Sequence, residues 1–146
     1  MPIHVELVTQ ERKLFEEPAA DIVILPAIEG EMGVLPNHAP LLTTLGFGEM
    51  VVRKGNAEER FAIYGGVVDV RPDKVVVLAD TADNSLSLNV EAAEAARKRA
   101  VDMVNSGAPE QNRFATLELR KAELALKLSR RVQQGGVKLR ILGEDE

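Results

Sequence analysis

The sequence predicts a small β-domain followed by an antiparallel helical hairpin. Up to about Asn84, apolar residues alternate with polar ones or fall in short β-branched runs. Beyond it the chain is built from strong helix formers, and that half is broken once, at Ser106-Gly107-Ala108-Pro109. A switch of apolar period from two to 3.6 marks a change of architecture rather than a loop. The reading divides the chain into a β-domain over 1–86, a helical hairpin over 87–134 and a flexible tail over 135–146.

Taken in order, Ile3-His4-Val5-Glu6-Leu7-Val8 alternates strictly, and Asp21-Ile22-Val23-Ile24-Leu25 and Lys74-Val75-Val76-Val77-Leu78 are short runs of strand-forming residues. Met50-Val51-Val52-Arg53 and Arg60-Phe61-Ala62-Ile63-Tyr64 frame Lys54-Gly55-Asn56-Ala57 as a hairpin. Turn residues at Glu29-Gly30, Pro36-Asn37, Gly65-Gly66 and Arg71-Pro72-Asp73 separate these runs. Gly46-Phe47-Gly48 reads as a further turn. No interval leaves room for a crossover helix, so the β-domain is predicted to be antiparallel, a sandwich or a barrel.

The first helix is predicted from Leu88 to about Asn105, rich in Ala, with Ser87 or Asn89 available as its N-cap. Gly107 suits its end and Pro109 the start of a second helix, running from about Glu110 to Gln134 before Gly135-Gly136. On a helical wheel the second helix carries two apolar stripes. Leu117, Leu124 and Leu128 form one, with Phe114 and Val132 at its edge; Ala115, Leu119, Ala122 and Leu126 lie opposite. A single partner helix cannot cover both. Arg120, Lys127, Arg130 and Arg131, with Glu123, fill the sector between them. This pattern fits a solvated charged face beside a wide core stripe, or a helix that meets more than one partner surface.

Composition narrows the function. With 146 residues, 45% hydrophobic and 28% charged, the chain is that of an ordinary folded domain or two small ones. It has no Trp, a single Tyr64 and a net charge of −5, which speaks against aromatic stacking on bases and against nucleic acid as a partner. The charge is unevenly divided, 7 basic against 14 acidic residues through Ser87 and 11 against 9 beyond it. The absence of Cys removes disulfides, thiolate metal sites and thiol nucleophiles, and suits a reducing compartment. The opening Met1-Pro2-Ile3-His4-Val5-Glu6 lacks the features of a signal peptide, and no apolar run approaches the roughly 20 residues that span a bilayer.

Catalytic chemistry finds little support. Only His4 and His38 supply imidazoles, and no Gly-x-Ser-x-Gly elbow surrounds a serine. Neither glycine pair continues into the Gly-Lys-Ser/Thr of a phosphate loop. Glu29 and Glu31 flank Gly30 without a His or Asp at ligand spacing, and read as exposed turn carboxylates. His38 lies between Pro36 and Pro40 in a stiff loop and reads as a hydrogen-bonded loop residue or, because prolines hold a loop ready to dock, as a protein contact. No catalytic residue, cofactor or metal ligand is therefore expected.

The stretch Glu29-Gly30-Glu31-Met32-Gly33-Val34-Leu35-Pro36-Asn37-His38-Ala39-Pro40-Leu41-Leu42 resembles the signature of the epsilon subunit of bacterial F-type ATP synthases. Tyr64-Gly65-Gly66-Val67-Val68-Asp69-Val70 and Val76-Val77-Leu78-Ala79-Asp80-Thr81-Ala82 resemble the later strands of that family, and Lys121-Ala122-Glu123-Leu124-Ala125-Leu126 its last helix. These motifs stand in the family's order and spacing from Ile3 to about Val132.

The resemblance implies a sandwich of about ten strands and a C-terminal hairpin. It implies a non-catalytic rotor subunit at the cytoplasmic face of the bacterial inner membrane, coupling proton-driven rotation to ATP synthesis. Its sandwich would bind the gamma subunit and the c-subunit ring, with Glu31 facing the c-ring and His38 near gamma. Its hairpin, when extended, would approach the alpha and beta subunits of the catalytic head and block hydrolysis through Arg120, Lys127, Arg130 and Arg131. Some members of the family bind ATP through Ile/Leu-Asp-x-x-Arg-Ala. Here the matching residues are Leu88-Asn89-Val90-Glu91-Ala92-Ala93, so the Asp and Arg are lost and Arg99 is only a remnant. Loss of that guanidinium removes a charge-assisted anchor, and weak or no ATP binding is expected. A free small-molecule-binding β-domain, which would need a deep apolar pocket, and an unrelated hairpin adaptor, which would not bind gamma, are the competing readings.

Overall fold

Strict alternation in the first strand becomes burial in the computed structural model. This describes residues 2–106, 109–135 and 140–141, without the side chains of 109–111 and 132–135. Ile3, Val5 and Leu7 of β1 (Ile3–Val8) are fully buried, while the residues between them are partly exposed. The chain continues through β2 (Lys13–Ala20), β3 (Ile22–Ala27), β4 (Gly30–Val34), β5 (Leu41–Lys54), β6 (Ala57–Val70), β7 (Lys74–Ala79) and β8 (Ala82–Asn84). After a single 3₁₀ turn at Ser85–Ser87 come α1 (Val90–Ser106) and α2 (Pro109–Gly135). Two compact units result: a β-unit, Met1–Asn84 with Val137–Glu146, and a helical unit, Ser85–Gly136.

The strands follow the order β2-β1-β7-β6-β5-β3-β4, with β8 pairing β6 beside β7. Every pair is antiparallel except β1 with β7, where Val5 lies opposite Val75 and Leu7 opposite Val77. The purely antiparallel expectation is corrected at that pair. No crossover helix is needed there, because the intervening strands themselves carry the chain back to the first one.

The two longest strands explain how this sheet encloses one core. In β6 the inward-facing residues are Phe61 and Ile63, then Val68 and Val70; in β5 they are Leu45, then Met50 and Val52. Each series contains an odd step, which a regular strand with period two does not allow. The step in β6 falls at Gly65 and Gly66, at φ 84° and 136°. The strands stay paired through it, Leu45 opposite Gly66 and Met50 opposite Phe61, so they change face together. A Cβ at Gly66 would lie 2.3 Å from the Leu78 carbonyl oxygen, so this crossing admits no side chain.

Two turn expectations are corrected accordingly: Gly65-Gly66 and Gly46-Phe47-Gly48 lie within β6 and β5. The turn expected at Glu29-Gly30 is present between β3 and β4, but Glu31 already lies in β4, opposite Pro26. The expected count of about ten strands becomes eight among the described residues, two of them long enough to serve both layers. The predicted hairpin is present: Lys54 pairs with Ala57, and Gly55 at φ 59° takes the first central position that a type II′ turn requires.

In the helical unit, the Ala92 amide donates to Asn89 Oδ1 at 3.1 Å, so Asn89 is the N-cap of α1. The two helices pack through small side chains: Ala93 and Ala100 of α1 are buried, as are Ala115, Ala122, Leu126, Leu128 and Ser129 of α2. The Gly107-Ala108 break lies outside the described residues. None of the described helices is long and apolar enough to cross a membrane.

Candidate protein-docking surfaces

Apolar side chains left outside the core of the β-unit gather on one sheet face. Leu42 of β5, Val67 of β6 and Leu78 of β7 are 71%, 38% and 51% exposed. Val67 pairs with Leu78, and Leu42 pairs with Asp69, two residues along from Val67, so the three form a stripe across adjacent strands. Leu41, the partner of Val70, is also exposed, as are Ile28 in the β3–β4 turn and Leu35 after β4. A hydrogen bond donated by the Ile28 amide to the Thr44 carbonyl ties that turn to β5. Scattered exposed apolar residues are normal in soluble proteins, but a contiguous group marks a contact surface.

The loop after β4 is fixed by its own backbone. Asn37 adopts φ 68°, rare for a residue with a Cβ, and its amide donates to the Pro72 carbonyl at 2.8 Å. The His38 amide donates to the Leu35 carbonyl, and its Nδ1 lies 2.7 Å from the Ala39 carbonyl oxygen, a contact that makes Nδ1 the protonated nitrogen. His38 is thus half-buried and held by its own loop, while Glu31 is exposed on β4. Beside this loop lies an open cleft of about 600 Å³ lined by Pro40, Leu41, Leu42, Asp69, Arg71, Pro72 and Asp73. Its solvent-exposed, charged rim differs from the deep apolar pocket that a small-molecule carrier would need.

Several charged groups of the β-unit bind one another. Arg60 joins Glu49 and Glu58 at 2.8 Å each; partial burial works against its charge, but the two carboxylates push its pKa above the ordinary value. Burial pushes the Tyr64 phenol well up, with the Asp83 carboxylate beside it adding to the effect. His4, Glu6 and Glu16 converge closely enough to suggest a cation site. However, Lys13 lies 2.9 Å from Glu16 and Lys74 lies 3.6 Å from Glu6, so ammonium groups already supply the positive charge.

On α2 the predicted cations divide. Arg120, Lys127 and Arg131 recur at i, i+7 and i+11 and form one exposed row. Arg130 lies off that row and pairs with Glu94 of α1 at 3.1 Å. Of the two apolar stripes, Ala115, Ala122 and Leu126 are buried, whereas Phe114 and Leu117 of the other are 58% and 41% exposed. Arg99 is exposed on α1. Sequence reasoning missed the Leu42–Val67–Leu78 stripe, because runs such as Val75–Leu78 are apolar on both faces and do not reveal which face is covered.

Residues 2–85 match the family described as ATP synthase, Delta/Epsilon chain, beta-sandwich domain. The ATP synthase epsilon chain of Dehalococcoides mccartyi is 40% identical over 129 residues, covering 87% of this chain and 91% of its own. The chain belongs to the ATP synthase epsilon family. The epsilon chain of Alkalilimnicola ehrlichii agrees, at 39% identity over 90% of this chain and 95% of its own. The fold of this epsilon-family chain recurs in a solved structure of the Euglena gracilis mitochondrial ATP synthase, OSCP/F1/c-ring, with a TM-score of 0.75 at 22% identity, covering 84% of this chain and 78% of the other. A second, from the Tetrahymena thermophila mitochondrial ATP synthase central stalk and c-ring, gives 0.57 at 14% identity, covering 88% and 97%. The β-unit is therefore the sandwich of the epsilon family, and the helical unit comes after it in the chain.

Proposed function

We propose that this chain is a non-catalytic central-stalk subunit of a bacterial F-type ATP synthase, joining the gamma subunit and the c-ring and restraining ATP hydrolysis through its helical unit. The observation that carries the reading is the exposed stripe Leu42–Val67–Leu78 beside the fixed Asn37–His38 loop, a rigid apolar surface suited to a permanent partner. Gamma is assigned to that stripe and to His38, and the polar loops of the c-ring to the turn carrying Ile28 and Glu29 with Glu31 beside it on β4. In this reading the subunit sits on the cytoplasmic face of the membrane and is held there by its partners.

The helical unit supplies the brake. The row Arg120, Lys127 and Arg131 offers charge to an acidic segment of the catalytic head, and Phe114 and Leu117 offer apolar surface. A reversible brake needs two states separated by only a few kcal/mol, which suits a unit that leaves one apolar stripe partly uncovered.

The test is ATP hydrolysis by the matching catalytic head with gamma. Wild-type chain is expected to bind and inhibit, and the Arg120→Ala/Lys127→Ala/Arg131→Ala chain to bind equally with severalfold weaker inhibition. A Val67→Asp chain is expected to lose binding. Full inhibition by the triple variant would remove the cationic row from the brake, and undiminished binding by Val67→Asp would remove the stripe from the gamma surface.

A further inference from the structure

Glu59 occupies an inward-facing position of β6, in register with Phe61 and Ile63, and only 2% of it is exposed. A carboxylate there is costly unless it is met by charge and hydrogen bonds. Arg53 of β5 and Arg60 of β6 pair with its neighbour Glu58, and successive residues of a strand point to opposite faces. The guanidinium that meets Glu59 comes from Arg140: Glu59 Oε1 accepts from Arg140 Nε at 3.1 Å and Nη2 at 2.8 Å, and from Asn84 Nδ2 at 2.9 Å. Arg140 is itself mostly buried, its side chain 18% exposed, and the next residue, Ile141, packs against the core of the β-unit.

The backbone at Arg140 has its own place in the sheet. On the edge of β6 away from β5, β7 pairs with residues 66–70 and β8 with residues 61–63. The parallel bridge from Arg140 falls next along that edge, at Glu58. We infer that Arg140 and Ile141 are a working part of the β-unit, a clasp that continues the cover of the β6 edge beyond β8 and brings Glu59 its guanidinium. Both lie in the segment read from the sequence as a flexible tail, whose remaining residues beyond Gly135 lie outside the described ones. The helical unit is thereby an insertion in the β-unit and not an extension of it. It begins one residue after Asn84 and ends before Arg140, and both of these bind Glu59 Oε1. A chain cut after Asn84 to remove the helical unit loses part of the β-unit with it. This role is independent of the function proposed above.

The test uses the full-length chain in solution, by nuclear magnetic resonance and urea unfolding. In the native chain the Arg140 Nε–H is expected to exchange with solvent on the order of tenfold more slowly than that of the exposed Arg12, and to lie close in space to the Asn84 side-chain amide. Arg140→Ala, and Glu59→Gln, which keeps the shape of the side chain, are each expected to lower the urea midpoint of the β-unit and to speed exchange of the backbone amides of residues 58–61 severalfold. The double variant is expected to do no more than Arg140→Ala alone, as two halves of one interaction require. Unfolding and exchange unchanged by Arg140→Ala would overturn the clasp, and so would additive effects of the two changes. An Arg140 Nε–H that exchanges as fast as that of Arg12 in the native chain would overturn it whether or not either variant folds.

Discussion

The two units bury different kinds of side chain. The core of the β-unit holds Ile3, Leu7, Leu25, Met50, Phe61 and Ile63, each essentially inaccessible. The helical unit buries chiefly Ala93, Ala100, Ala115 and Ala122, with Leu126 and Leu128, and leaves Met103, Phe114 and Leu117 exposed. Burying a large aliphatic or aromatic side chain stabilises by about 1.5–3 kcal/mol, and a methyl-sized one by less than about 1. Helices built on alanine approach closely but gain little per residue. By this measure the β-unit is the better stabilised of the two, the division of labour that the proposed docking subunit with a movable brake requires.

Substitutions can test this contrast. Phe61, which packs against Phe15 at 5.1 Å between ring centroids, should cost about 3–5 kcal/mol when changed to Ala, read as a fall in the urea midpoint of the β-unit. Leu126→Ala should cost about 2 kcal/mol and appear as faster amide exchange in α1 and α2, with Val5 and Val77 still protected. Equal loss of protection in both units would show that they unfold as one.

The corner in β6 probes the stiffness of the scaffold in another way. Gly66→Ala should cost about 3 kcal/mol, because a Cβ would meet the Leu78 carbonyl and Ala79 as well as an unfavourable φ. Gly30→Ala, at φ 138° with open space around it, should cost only about 1 kcal/mol of backbone strain. Comparable costs would mean that φ alone, and not the approach of β7, demands glycine at the corner.

Smaller effects fall at the edges of each unit. Asn89→Ala removes the cap of α1 and should lower helical-unit stability by about 1 kcal/mol, visible in exchange of the first turn of α1. The hydrogen bond from Lys13, and then the contact with His4, hold the Glu16 carboxyl below its ordinary value of 4.5. Stability from Glu16 is therefore complete above 4.5 and is lost as pH falls through the depressed folded value. Glu16→Gln should make the acid side of the stability profile slightly shallower, the smallest change of the series.

Much of this fold can be read from local pattern. The boundary near Asn84, the Lys54–Ala57 hairpin, the Asn89 cap and the start of α2 at Pro109 each depend on neighbouring residues, and each is present. Besides the three-residue β8, the strands that escape such reading are the two edges of the sheet. Strand β2 contains Glu16, Glu17 and Pro18, and β4 contains Gly30 and Gly33, all poor strand formers. An edge strand needs only one bonded neighbour, so proline and charge are tolerated there, and their signals mislead.

Period, turn chemistry and motif order are properties of the chain alone, and they suffice for the order of elements, the family and the set of charged residues available for docking. Contacts across the fold were needed to learn which apolar residues stay outside, that Arg130 turns to Glu94 while Arg120, Lys127 and Arg131 share a row, and that Glu59 is met by Arg140, 81 residues away. Burial and ion pairing depend on which strands become neighbours, and neighbours so distant in the chain leave no mark on the local pattern of either.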